Sequence, residues 1–276
     1  MDRIRLIASD MDATLLNEQS QLPADFEETI HALAELGIRF APASGRPLYT
    51  LEAMFPTLQN ELVFIGDNGG AIRWKGQNLF TSEMSPEGWR ALNRLTREQG
   101  DIAVLCGLES AYVERPFAVH DAVLRHFYTK IEYVDRLEDV TAPADKFTIY
   151  LPQHNAQQAY DTVYASQRSI YSVAVAGECW VDIMNPGVHK GAALQTLGQL
   201  WGLPSESIMA FGDTYNDAEM LTTAKYGFLM ENGSGPLRAQ VPFLAPSHRE
   251  YGVMQVLKQV LRQNGEVSSE DFTKAH

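Results

Sequence analysis

Short, nearly continuous apolar runs at residues 4–8, 38–41 and 62–65, each ending in a polar loop, constrain this chain more than any other feature. A strand that is apolar at successive positions must be covered on both faces, which is the habit of parallel sheets and not of antiparallel sheets with a wet side. Between the runs, Pro23 opens a helix whose apolar residues Phe26, Ile30, Leu33 and Ala34 fall at helical spacing, and Gly37 suits its end. Strand, helix, strand in that order is βαβ traffic. The pattern predicts an α/β fold with a Rossmann-like, doubly wound parallel sheet.

The texture changes beyond about Glu83. Polar helices are expected at residues 86–99 and 116–128, and exposed-looking strands at 102–105, 147–151 and 171–175, which together read as α+β. From Pro186 the first texture returns, with a helix over 189–201 ended by Gly202 and a strand over 208–211 that feeds Gly212 and Asp213. The order predicts a core in two parts, residues 1–83 and 184–276, interrupted by an inserted α+β cap domain at 84–183. With 276 residues, 45% of them hydrophobic, the chain can bury a core in each. The polar stretch after Arg262 predicts a loosely held tail.

Asp10 and Asp12 stand where the first apolar run stops being a strand, and the loop Gly212–Asp217 repeats that context. In open α/β sheets the crevice outside the carboxyl ends of the strands binds ligands. A carboxylate there can accept a phosphoryl group, and a second one can protonate the leaving oxygen and then activate water. Each residue also has a plain structural reading. The D-x-D pair can cap a helix, Ser44 before Gly45 can be an ordinary turn residue, and Asp213, Asn216 and Asp217 can cap the helix that follows. Lys190 is different, because a cation at a helix start opposes the macrodipole unless an anion resolves the conflict.

In order, these segments are Asp10-Met11-Asp12-Ala13-Thr14, Ser44 in ASGRP, Lys190 in GVHKGAAL, and GDTYND at 212–217. They resemble the four motifs of the haloacid dehalogenase-like phosphatases, and specifically the Cof-type branch with a large inserted cap, over nearly the whole chain. The resemblance implies that Asp10 is the nucleophile and a magnesium ligand. It implies that Asp12 is the general acid and base and a ligand through its backbone carbonyl, and that Asp213 is the third protein ligand. It further implies that Ser44, Lys190, Asn216 and the amides of Met11 and Gly45 cradle the phosphate, while Asp217 holds a metal-bound water or orients Lys190. Oxygen-only coordination suits Mg2+. Arg46 either supports the phosphate loop or is a solvated, salt-bridged arginine, and Asn68 reads as an asparagine-glycine turn that can also touch the cap. The chain departs from the family at Ala13, where glycine is usual; this puts the local backbone geometry in question, not the chemistry.

The cap is expected to close over the site and set specificity, with Tyr112, Glu114, Arg115, Lys146, Glu178 and Trp180 as candidates. His120, His126 and His154 read as surface residues. A formal net charge of −13 argues against a nucleic-acid or anionic-membrane partner. Cys106 and Cys179 have neither the number nor the spacing of a zinc site or disulfide framework, as expected of reduced thiols. The opening Met1-Asp2-Arg3 leads straight into a strand without a signal-like apolar segment, and no stretch approaches the ~20 apolar residues of a membrane span. The expectation is a cytoplasmic, magnesium-dependent phosphatase of a small phosphorylated metabolite, a sugar phosphate or a phosphorylated cofactor, acting as monomer or homodimer. A phosphomutase and a non-catalytic sugar-phosphate-binding regulator remain open. A dinucleotide-binding enzyme does not fit, because no G-x-G-x-x-G follows the first strand.

Overall fold

The computed structural model describes residues 1–276. Its larger sheet has eight strands in the order Phe243–Ala245, Tyr226–Met230, Ile208–Gly212, Leu6–Asp10, Arg39–Ala43, Val63–Gly66, Ala71–Trp74 and Gln77–Thr81. The first six run parallel, and the last two add a hairpin in which each strand is antiparallel to the one before it. Leu6–Asp10 is a central strand, buried at every position. Its alternation decides which side each residue covers. Ile7, Met209, Phe211 and Phe228 pack with the helices Phe26–Glu35, Leu48–Ala53 and Gly252–Arg262. Leu6, Ala8, Ala210 and Leu229 pack with Lys190–Trp201 and Ala218–Thr223. Covered on both faces, the sheet is the doubly wound arrangement that the uninterrupted apolar runs require.

A second sheet of six strands is built from residues 102–184, in the order Ser172–Val175, Trp180–Met184, Ala144–Tyr150, Ile102–Gly107, Ala111–Glu114 and Ile131–Val134. On one face Phe147, Ile149, Val181 and Ile183 pack with Trp89 and Leu92 of the helix Pro86–Gln99. That helix starts at Ser85, whose hydroxyl accepts from the Gly88 amide. The other face carries Lys146, Thr148, Trp180 and Asp182 and looks onto the loops at the carboxyl ends of the larger sheet. The two chain crossings between the sheets are clasped by one side chain, as the Asn185 amide donates to the carbonyls of Ser82 (3.3 Å) and Glu83 (2.8 Å) and to Ser82 Oγ (3.1 Å).

The end of the chain departs from expectation. Glu266–Val267 pairs with Asp2–Arg3, Phe272 lies edge-on to Tyr226 and Phe228, and Ala275 is buried. The tail is anchored by three apolar residues, Val267, Phe272 and Ala275, set among polar ones, too sparse for any periodicity to mark them. The segment expected as one helix at 116–128 divides into a 3-10 turn, Arg115–His120, and the α-helix Asp121–Phe127. No helix is long and apolar enough to cross a membrane.

Candidate active site

The central strand delivers Asp10 to the crevice at the carboxyl end of the sheet, where only 8% of the residue is exposed. The chain then turns sharply through residues 11–15, with Ala13 at φ 58° and ψ 13°. That is the left-handed region, so the position occupied by alanine is one that glycine adopts without cost. The Ala13 carbonyl is held by the Asn232 side-chain amide at 2.8 Å.

Behind Asp10 sits Lys190, fully buried at the start of its helix. Its ammonium donates to Asp10 and, at 2.7 Å, to Asp217 Oδ1. The other oxygen of Asp217 accepts from the backbone amides of Asp213 (3.0 Å) and Thr214 (3.3 Å). Asp217 thus ties the lysine to the loop that carries Asp213, and two carboxylates resolve the conflict of a cation at a helix start.

Oxygens of Asp10, Asp213 and Asp217 lie within 4.8 Å of one another. Three carboxylates share one lysine, which leaves the group with an excess of negative charge. Burial, then the charges of Asp217 and Asp213, outweigh Lys190 and push the Asp10 carboxyl up to about 8. Burial and Asp217 likewise push Asp213 up to about 6. A hard, oxygen-seeking divalent cation between Asp10 and Asp213 would neutralise that excess, and the all-oxygen donor set fits Mg2+. Asp12 contributes no carboxylate to this group.

In front of Asp10 opens a cavity of about 360 Å³ lined by Asp12, Ser44, Gly45, Arg46, Asp213 and Asn216 on one side and, among others, by Lys146, Thr148, Trp180 and Asp182 on the other. Ser44 is buried, and its hydroxyl accepts from the Arg46 amide at 3.1 Å, which curls the loop. Asp12 is 55% exposed at its side chain and is gripped by Arg46, whose Nη2 donates to both carboxylate oxygens at 2.9 and 3.0 Å. Of the residues singled out in the sequence, Asp10, Asp12, Ser44, Gly45, Asp213 and Asn216 therefore line one cavity. Met11 is buried beneath the turn, and Lys190 and Asp217 stand behind Asp10.

Of the cap candidates, only Lys146 and Trp180 reach this cavity. Tyr112 and Arg115 open onto a different cleft, Glu114 pairs with Arg97, and Glu178 lies beside exposed His154. Phe127, Tyr128, Thr148, Ala176 and Asp182 line the cavity without having been foreseen. The signal for two of them was available. Residues 146, 148 and 150 alternate with Phe147 and Ile149, residues 180, 182 and 184 alternate with Val181 and Ile183, and the two strands pair with Thr148 opposite Asp182. Polar residues on one face of two otherwise apolar paired strands mark the face that meets something other than core.

That face is anchored to the larger sheet through buried polar contacts. The Lys146 ammonium donates to the Gly45 carbonyl and lies 3.0 Å from Asp67 Oδ1 and 3.6 Å from Asp182 Oδ2. Asn68, in the left-handed region as an asparagine-glycine turn requires, donates to Asp182 at 3.0 Å, and Thr148 donates to the other Asp182 oxygen at 2.7 Å. Asn68 thus serves both the turn and the contact across the interface.

The family model for haloacid dehalogenase-like hydrolase matches residues 7–257. The 5-amino-6-(5-phospho-D-ribitylamino)uracil phosphatase of Escherichia coli is 32% identical over 263 residues, covering 94% of this chain and 97% of that protein. The HMP-PP phosphatase of Cronobacter sakazakii is 32% identical over 249 residues, covering 87% and 89% of the two. Among crystal structures, that of a Streptococcus mutans protein superposes with a TM-score of 0.83 at 30% identity, over 94% of this chain and 99% of the other.

Proposed function

Because the chain belongs to the haloacid dehalogenase-like hydrolases and is a phosphatase, we propose that it hydrolyses a small phosphorylated metabolite in the cytoplasm through an aspartyl-phosphate on Asp10. The supporting relatives are phosphatases by name, one of them acting on a phosphoribityl compound. The observation that carries the mechanism is the buried Asp10 at the end of the central strand, backed by Lys190 and facing the cavity.

In this reading an Asp10 oxygen bonds to phosphorus as the bond to the leaving oxygen breaks, and Asp12 gives that oxygen its proton. Asp12 then takes a proton from water, whose oxygen bonds to phosphorus as the bond to Asp10 breaks, and inorganic phosphate leaves. Ser44, Asn216 and the Met11 and Gly45 amides cradle the phosphate oxygens, and Lys190 aims Asp10 and opposes the burial and neighbouring acids that favour its protonated form. A magnesium ion held by Asp10, Asp213 and the Asp12 carbonyl would supply the charge neutralisation that lets a carboxylate meet a phosphate. Asp12 is engaged by Arg46 before substrate arrives. Proton transfer therefore requires that fork to open, and a phosphate oxygen offers Arg46 an equivalent anionic partner. Residues 84–183 act as a cap, a division supported by the contacts of Asn185 with Ser82 and Glu83 at the two chain crossings.

The test is phosphate release from a panel of phosphomonoesters. Activity should vanish on chelation and return with Mg2+, and Ca2+ should inhibit because its looser coordination engages both Asp10 oxygens and leaves none to attack. Turnover that survives exhaustive chelation would overturn the metal-assisted reading.

A further inference from the structure

We propose that the leaving group of the substrate is uncharged and carries a flat, conjugated ring that packs on Trp180, an assignment that rests on the phosphatase reading and deepens it. On the cap side the cavity is lined by Phe127, Tyr128 and Trp180, with only a methyl group at Ala176 among them. Trp180 is fixed in place. It packs on Tyr150 with ring centroids 4.6 Å apart, and Phe127 meets it edge-on at 5.0 Å. It is nevertheless half-buried and lines the cavity, so a rigid indole surface remains for a ligand. A preorganised aromatic surface loses little conformational entropy on binding and favours an offset-stacked or edge-on ring.

Charge narrows the choice further. The one cation on the cap side of the cavity, Lys146, is already committed to the Gly45 carbonyl, Asp67 and Asp182. Both Asp182 oxygens are in turn occupied by Asn68 and Thr148. Arg46, the other cation lining the cavity, lies on the opposite side and is paired with Asp12 or, in the phosphatase reading, with the transferred phosphate. A second phosphate or a carboxylate on the leaving group would therefore enter a partly desolvated space with no cation left for it, at a cost that a neutral ring avoids. A polyol leaving group would need hydrogen-bond partners that the aromatic wall does not supply.

Matched esters test this directly. With Mg2+ present, kcat/KM is measured for uridine 5′-monophosphate, pyridoxal 5′-phosphate and flavin mononucleotide against ribose 5-phosphate, and for fructose 1,6-bisphosphate against fructose 6-phosphate. At least one ring-bearing ester should exceed ribose 5-phosphate tenfold or more, and the bisphosphate should be no better than the monophosphate. Trp180→Ala should lower the ring-to-ribose ratio at least fivefold, mainly through KM, and Trp180→Phe should restore most of it. Should Trp180→Ala fold poorly, Ala176→Leu reads the same wall by filling the clearance beside it, and should cost ring esters more than ribose 5-phosphate. No ring ester exceeding ribose 5-phosphate, a preferred bisphosphate, or a ratio indifferent to both substitutions would overturn the assignment while leaving the phosphatase reading intact. Absence of phosphate release from every ester would instead overturn the phosphatase reading itself.

Discussion

Asp10 and Asp12 have the same side chain two residues apart, and their surroundings separate them. One is buried against a lysine and two further acids, while the other is exposed and forked by an arginine. Asp10→Asn should abolish turnover. Asp12→Asn should keep the attacking group but lose the base for the second step, so an activated aryl phosphate should leave a stoichiometric adduct on Asp10. Mass spectrometry should find one phosphate-sized increase that hydroxylamine removes; an adduct on Asp12 or Ser44 would sink the assignment. Ala13 belongs to the same turn. Because its φ is positive, Ala13→Gly relieves strain that an L side chain suffers there. Thermal unfolding should show it equal to or more stable than the parent, by about 0.5–1 kcal/mol, with activity equal or higher. A clear loss of either would mean that the methyl group has a contact of its own to make.

Between elements, the contact of the two sheets concentrates buried acids. Asp145 on the strand Ala144–Tyr150 is completely buried, neither of its oxygens has a hydrogen-bond partner, and it approaches the larger sheet where Gly70 has no side chain; a Cβ there would stand 3.1 Å from Asp145 Oδ2. Burial first, then the Asp67 charge, raises its carboxyl well above the ordinary range, with Lys146 opposing and Glu83 adding. A folded-state value above the unfolded one favours the fold while the group is protonated, and that contribution fades as pH rises above the ordinary carboxylate value. Asp145→Asn keeps the neutral form at every pH. It should leave the melting temperature unchanged near pH 4 and raise it at pH 8 by about 2–4 °C, the shift that ~1 kcal/mol makes in a chain of this size. An equal gain at both pH values would point to a packing effect. The burial of Asp145 was not legible in the sequence, where it is a charged residue beside the candidate Lys146; what makes it matter is a neighbour about eighty residues away. The loops of the candidate site were legible because each is local, a strand followed at once by the residues that line the cavity. Contacts of the cap depend on register between distant strands, and only the alternation within each strand was available to read.

Across the whole molecule, the two sheets have separate cores. The larger sheet is packed by two apolar clusters drawn from residues outside 84–183 apart from Leu108, which only borders one of them, and the smaller sheet has its own. The side-chain contacts that join them are largely polar, among them the Asn185 clasp, the Lys146, Asn68 and Asp182 contacts, the Arg73–Glu109 pair and the Thr50–Thr129 contact. Interfaces of that kind hold two bodies in a preferred arrangement without making either depend on the other to fold. Replacing residues 84–183 with a short glycine-serine linker should therefore leave a core that unfolds cooperatively with undiminished parallel-sheet character in circular dichroism. Removing the cap also removes Trp180, Phe127 and Tyr128, the aromatic wall of the cavity proposed to hold the leaving group. The excised protein should then lose its preference among esters more than its rate on an activated aryl phosphate, since binding energy from the remote part of a substrate is what the cap contributes. Equal losses on both would make the cap chiefly a barrier to water, and an unfolded core would show that the polar contacts between the sheets are needed for folding.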